Sequence, residues 1–132
     1  MKVLDSSALV ELLGGGAGGE AVERRLLELP GWTWAPALID AEVGHALRRA
    51  VRQGELSAPE AEEALDDLMG MRLERVPHRF LAARAWELRE NLSFYDGLYV
   101  ALAEALEAPL LTLDLRLARA PGVDAEVEVI PV

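Results

Sequence analysis

Residues 93–114 read SFYDGLYVALAEALEAPLLTLD, and their pattern decides the architecture. Ser93 is a helix cap, and from Phe94 to Leu106 the positions are apolar nearly all the way round. Such a helix lies at the centre of a molecule rather than on its surface. The run Pro109-Leu110-Leu111-Thr112-Leu113 shows no polar alternation and stops at Asp114, as expected of a strand covered on both faces. Strands of that kind occur in parallel sheets flanked by helices.

The same alternation extends outward in both directions. Met1 to Leu4 is a short strand ending at Asp5, after which Ser6 or Ser7 can cap a helix carrying Leu9, Val10, Leu12 and Leu13. A second helix spans Glu20 to Leu29 and ends at Pro30-Gly31; a strand follows from Trp32 to Ala35. Pro36 opens a long helix reaching about Gln53, with Ile39, Val43, Leu47 and Ala50 on its buried stripe. Ser57-Ala58-Pro59-Glu60 is a capping box for the next helix, which Gly70 closes. A brief strand at Leu73 to Val76, a helix from Phe80 to Asn91, a short helix around Leu117 and a last strand from Val127 to Ile130 complete the pattern. The expected fold is a three-layer α/β/α domain with a central, mostly parallel sheet, one domain over residues 1–132.

Composition narrows the chemistry. Cysteine is absent and only His45 and His78 could offer nitrogen, so any metal must be held by oxygen, and neither histidine is given a catalytic role. No apolar run approaches the roughly 18 residues of a membrane span, and the N-terminus lacks a leader pattern; a cytoplasmic location is expected. The net charge of −10 counts against general affinity for a polyanion. Arginines do cluster locally, at Arg48, Arg49 and Arg52 and again at Arg116 and Arg119.

In an open parallel sheet, ligands bind beyond the carboxyl ends of the strands, where both Asp5 and Asp114 stand. Either one alone reads more readily as a helix cap than as a ligand, and the pair is better evidence than either member. Asp96 is more unusual, because it sits in the first turn of the central apolar helix, and Gly97 beside it implies a close approach of backbone. Glu42 borders the buried stripe of the long helix, whereas Asp40 reads as a solvated charge. Four carboxylates meeting within 5 Å would repel by about 3 kcal/mol per pair at an effective dielectric near 20, so they would need cations. Hard oxygen donors select Mg²⁺ or Mn²⁺, which bind phosphate oxygens and generate hydroxide for attack on a phosphodiester.

Val3-Leu4-Asp5-Ser6-Ser7-Ala8-Leu9-Val10, Ala41-Glu42-Val43, Ser93-Phe94-Tyr95-Asp96 and Pro109-Leu110-Leu111-Thr112-Leu113-Asp114 resemble, in order, the motifs of PIN-domain nucleases of the VapC toxin type. The resemblance runs nearly end to end. It implies a Mg²⁺- or Mn²⁺-dependent endoribonuclease, a homodimer, and a cognate antitoxin as partner. It also implies Asp5, Asp96 and Asp114 as metal ligands, Glu42 as a ligand directly or through water, and Thr112 as a hydroxyl orienting the cluster. Ser6 matches the small polar residue after the first Asp. Arg48, Arg49, Arg52, Arg116 and Arg119 could line an RNA path or simply form solvated faces with i,i+4 pairs.

Other readings fit less well. Gly14 to Gly19 satisfies G-x-G-x-x-G with Asp40 about 20 residues on, yet it follows a helix where a dinucleotide site needs a strand. An Asp-x-Asp phosphatase would need an acid at Ser7, and a phospho-receiver a late lysine, but Lys2 is the only lysine. The non-enzymatic alternative is an inactive module of the same fold that binds a basic antitoxin peptide.

Overall fold

A computed structural model describes residues 1–131. Its centre is a five-stranded sheet built from β1 (Lys2–Leu4), β2 (Thr33–Pro36), β3 (Glu74–Val76), β4 (Leu110–Thr112) and β5 (Val127–Val129). The order is β3-β2-β1-β4-β5 and every pairing is parallel. Each strand lies within a residue or two of its expected position, and the mostly parallel sheet proves parallel throughout. The chain winds outward one way through β2 and β3 and the other way through β4 and β5. The reversal point lies between β1 and β4, where Val3 faces Leu110 and Leu4 faces Leu111.

Seven helices cover the sheet among the described residues: α1 (Ser6–Leu13), α2 (Gly19–Glu28), α3 (Leu38–Arg52), α4 (Ala58–Gly70), α5 (Ala82–Glu87), α6 (Phe94–Leu106) and α7 (Leu115–Arg119). Helix α6 packs on β1, β2 and β4 and against α5, and its residues 97–103 are all buried. The centrality read from its composition is what the structure shows. Fully buried Leu4, Leu9, Ile39, Val43, Leu98, Val100, Leu110 and Leu111 join sheet and helices in one core.

Several local expectations need correction. Helix α1 is capped by Asp5, whose Oδ1 accepts from the Ala8 N–H at 3.0 Å, and not by Ser6 or Ser7. Pro36 ends β2 and the long helix starts at Leu38, because the Ala37 N–H is spent on Val76 O at 2.9 Å in the sheet. The segment expected as one helix from Phe80 to Asn91 is a 3-10 turn, His78–Phe80, followed by the short α5 and further tight turns. Trp86 is 60% exposed there, and Leu81, Ala85 and Leu88 hold the segment to the core. The capping box is present, with Glu60 N–H donating to Ser57 Oγ and Ser57 N–H to Glu60 Oε1. The glycines of 14–19 form a loop between α1 and α2, not a strand-to-helix phosphate loop.

Candidate active site

The reversal of strand order places the ends of β1 and β4 side by side, and Asp5 follows one as Thr112 closes the other. The Asp5 N–H donates to Leu111 O at 3.1 Å, so the sheet ladder itself fixes the start of the Asp5 backbone. The Asp5 side chain is buried and held on both oxygens. Oδ1 accepts from Ser7 Oγ at 2.6 Å and from the Ala8 N–H, and Oδ2 accepts a short hydrogen bond from the Thr112 hydroxyl. Ser7 Oγ and Thr112 Oγ1 in turn accept from the Leu113 and Asp114 N–H groups, at 3.1 and 2.9 Å. The Thr112 hydroxyl is therefore one of the groups that fix the Asp5 carboxylate. Ser7, read from the sequence only as a possible helix cap, shares that task.

Asp96 enters from above on α6. Ser93 caps that helix by accepting the Asp96 N–H at 3.0 Å. Gly97 is there because an added Cβ would sit 3.1 Å from both Cα and O of Ala85 in α5, which is the backbone approach inferred from the sequence. Clamping α6 to α5 at that point sets where Asp96 stands. Asp114 caps α7 with Oδ1 and is gripped by Arg116, Nη2 to Oδ2 at 3.0 Å and Nε to Oδ1 at 3.2 Å. Glu42, half-buried on α3, accepts the Tyr99 hydroxyl at 2.6 Å on Oε1.

Electrostatics ties these groups together. Burial pushes the Asp5 carboxyl above its ordinary value against the pull of its hydroxyl and amide donors, and Asp96 pushes it further in the same direction. Asp96 is raised first by burial and then by the negative charge of Asp114, with Ser93 and Arg116 opposing. Asp114 is lowered, chiefly by its hydrogen bond to Arg116. The Tyr99 phenol is pushed far up by burial and by its hydrogen bond to Glu42, and the charge of Asp5 acts in the same direction. Asp5, Asp96 and Asp114 are thus coupled in sequence, Asp96 acting on Asp5 and Asp114 on Asp96, while Glu42 joins them through Tyr99.

Among the described residues no three acidic groups are drawn together into a ready-made metal cage. The donor set nonetheless fits a hard divalent cation. Every candidate ligand is a carboxylate oxygen, two of them are held in a raised, proton-hungry state by burial and mutual repulsion, and Mg²⁺ commonly keeps several waters instead of a full protein shell. Arg116 is 91% exposed, so its grip on Asp114 costs little to release.

The remaining expectations fare differently. Asp40 is not a solvated charge: Arg75 Nε donates to its Oδ2 at 2.8 Å, while Oδ1 is buried without a partner. Arg48, Arg49 and Arg52 are exposed on the last turns of α3, and Arg119 is exposed on α7. Arg116 reaches Asp114, as described above. His45 and His78 are exposed and take no part in this network. Sequence reasoning gave Ser7 only a possible capping role and passed over Tyr99; the available signals were a serine two residues after a post-strand Asp, and a phenol one turn beyond Asp96 on the central helix.

Comparison with known proteins agrees with this geometry. The family model described as PIN domain matches residues 2–123. Ribonuclease VapC1 of Mycobacterium tuberculosis is 49% identical over 129 residues, covering 97% of this chain and 96% of that protein. Among solved structures, that of Mycobacterium tuberculosis VapC20, described as a Sarcin-Ricin loop cleaving toxin, superposes with a TM-score of 0.73 at 19% identity, covering 99% of this chain and 100% of the other. A toxin–antitoxin complex from Klebsiella pneumoniae gives a TM-score of 0.68 at 16% identity, covering 99% and 98%. At those identities the two structures speak for the fold, while the family match and the closer relative speak for descent. With its all-parallel sheet and its carboxylates at the point where strand order reverses, the chain belongs to the PIN-domain family, alongside the VapC ribonucleases.

Proposed function

We propose that the protein is an endoribonuclease, the toxin of a toxin–antitoxin pair, that hydrolyses RNA phosphodiesters with the help of Mg²⁺ or Mn²⁺. The observation that carries this reading is that Asp5 and Asp114 follow the adjacent strands β1 and β4 at the sheet's reversal point, with Asp96 on α6 near enough to act on Asp5 and to feel Asp114. Asp5 and Asp114 at the strand ends and Asp96 on α6 would hold the cation, with Glu42 binding it directly or through water. The bound ion would supply positive charge to phosphate oxygens and a water acidified to nucleophilic strength. The chain's own part is to fix the donors: Thr112 and Ser7 lock Asp5, the α5–α6 clamp at Gly97 sets Asp96, and the cap geometry sets Asp114.

RNA is the substrate class that the VapC relatives' names supply, and the overall charge of −10 means that contact must be local. Arg48, Arg49 and Arg52 form no ion pair among the described residues and stand free on one end of α3, which suits a phosphate path. Reversing the charge at Arg49 should raise KM for RNA and flatten its salt dependence; an unchanged salt slope would remove Arg49 from the path. The acidic surface suits a basic antitoxin segment, and pairing of two copies belongs to the same reading. No described helix is long and apolar enough to cross a membrane, in keeping with action on RNA in the cytoplasm.

The test compares wild type, Asp5→Asn and Asp96→Asn on a panel of structured RNAs in Mg²⁺, Mn²⁺ or EDTA. Cleavage should require the metal and both carboxylates. Cutting that survives EDTA or either substitution overturns the metal mechanism, and a folded wild type that cuts no RNA with any metal leaves the inactive, antitoxin-binding module in its place.

A further inference from the structure

Tyr99 is the largest fully buried side chain of the molecule, 1% exposed, and its ring is packed inside α6 among residues that are otherwise aliphatic. A phenylalanine would fill that space without the cost of burying a hydroxyl, a cost that is lifted only when the group is paired. The hydroxyl is paired, and its partner is informative. It donates to Glu42 Oε1 at 2.6 Å across the gap between α6 and α3, and it also feels the charge of Asp5. Tyr99 lies three residues after Asp96, so both side chains project from the same face of α6 toward the site.

Glu42 needs such a partner more than the three aspartates do. Asp5 and Asp114 are braced by backbone N–H groups and Asp96 by the clamped start of its helix, whereas no backbone donor reaches Glu42. An unbraced glutamate keeps three rotatable bonds, and ordering it costs conformational entropy. We propose that the Tyr99 hydroxyl, by binding one oxygen of Glu42 from the core side, is the positioning group that presents the other oxygen to the cation site. This inference rests on the proposed metal-dependent function, and it assigns Tyr99 no contact with substrate. The hydrogen bond makes a single buried hydroxyl the link between α6 and α3 behind the carboxylates.

The experiment measures Mn²⁺ alone binding to the full chain without RNA, by calorimetry or by loss of the free-ion electron paramagnetic signal. Tyr99→Phe keeps the ring and should fold, with Mn²⁺ affinity lower by roughly 10-fold or more, the usual effect of removing a partner that orients a metal ligand. In a Glu42→Gln background the same substitution should have no further effect, which a purely packing role could not reproduce. Unchanged Mn²⁺ affinity in Tyr99→Phe, or an equal loss with and without Glu42, overturns the inference while leaving the metal site intact. A folded wild type that binds no Mn²⁺ overturns the proposed mechanism and this inference together. Should Tyr99→Phe fold poorly, ¹⁹F spectra of the chain grown with 3-fluorotyrosine answer the same question, since Tyr95 and Tyr99 are its two tyrosines. The buried resonance should shift on adding Mg²⁺ to wild type and stay put in Glu42→Gln; a Tyr99 signal indifferent to Mg²⁺ in wild type overturns the assignment.

Discussion

Helix α6 carries an acidic residue near each end, and the two are treated in opposite ways. Asp96, in the first turn, is where a helix dipole favours negative charge, yet its carboxyl is raised by burial and by Asp114. Glu104, near the other end, has the dipole against it, yet its carboxyl is lowered because Arg84 binds both oxygens, at 2.7 and 3.1 Å, and the Asp124 N–H adds a third bond at 2.8 Å. The chain supplies a cation for the structural end and withholds a dedicated one from the site end. A buried carboxylate left without its own counter-charge is a strong indication that the counter-charge comes from outside.

The largest expected effect follows from that contrast. Asp96→Asn should cut RNA cleavage by roughly 10²–10³-fold, since a metal contributes several kcal/mol to charge stabilisation and each 1.36 kcal/mol is tenfold in rate. Glu104→Gln should leave the rate unchanged. Initial rates on one RNA in Mn²⁺, beside melting curves for both variants, check the pair. Equal loss of activity in the two would mean that the ends of α6 are not functionally distinct.

The second effect is on stability and runs the other way. Arg84→Ala removes the bidentate pair and the bond to Gly122 O at 2.8 Å, leaving Glu104 partly buried with only the Asp124 N–H to bind it. Charge-assisted bonds of this kind are worth about 1.5–3 kcal/mol, so urea unfolding should show a loss in that range with cleavage retained. Gly97→Ala tests the join between the two ends. The new methyl meets backbone of α5, which cannot swing aside, and overpacking of about 1–3 kcal/mol should appear together with reduced cleavage as Asp96 is displaced. A variant that loses stability but keeps full activity would show that the clamp serves packing alone.

The helix and the strand that frame this comparison were readable because their signals are local. Thirteen nearly all-apolar helical positions and a run of unalternating strand residues leave few other options, and the Ser93 cap and Gly97 marked the helix start. The site was readable to the extent that it lies at strand ends, which the order of elements alone places together. Partnerships between distant side chains left no such trace. Nothing near Asp40 announces Arg75, 35 residues away, and nothing near Glu42 announces Tyr99, 57 residues away. The 80–91 segment misled for a related reason: Trp86 adds to helical periodicity on paper, but its ring lies on the solvent side, and with one anchor fewer the backbone tightens into turns.

The smallest effect is also the sharpest discriminator, because it depends on sign and not on size. Asp96 is raised in the folded protein above its ordinary 3.8, so the folded state binds its proton more tightly than the unfolded state does. Its charge therefore costs stability at neutral pH, and that cost is relieved as pH falls through the folded value toward 3.8. Glu104 is lowered below its ordinary 4.5, so it contributes stability that is present above 4.5 and lost as pH falls through its folded value. Urea unfolding in EDTA should consequently find Asp96→Asn more stable than wild type near neutrality, with the advantage shrinking on mild acidification. Glu104→Gln should be less stable than wild type by an amount that holds down to about pH 4.5 and only then narrows. Adding Mg²⁺ at neutral pH should reverse the first difference, since the cation stabilises the folded wild type and has less to bind in the variant. If the two differences change with pH in the same direction, the ends of the helix do not differ in the way their environments require.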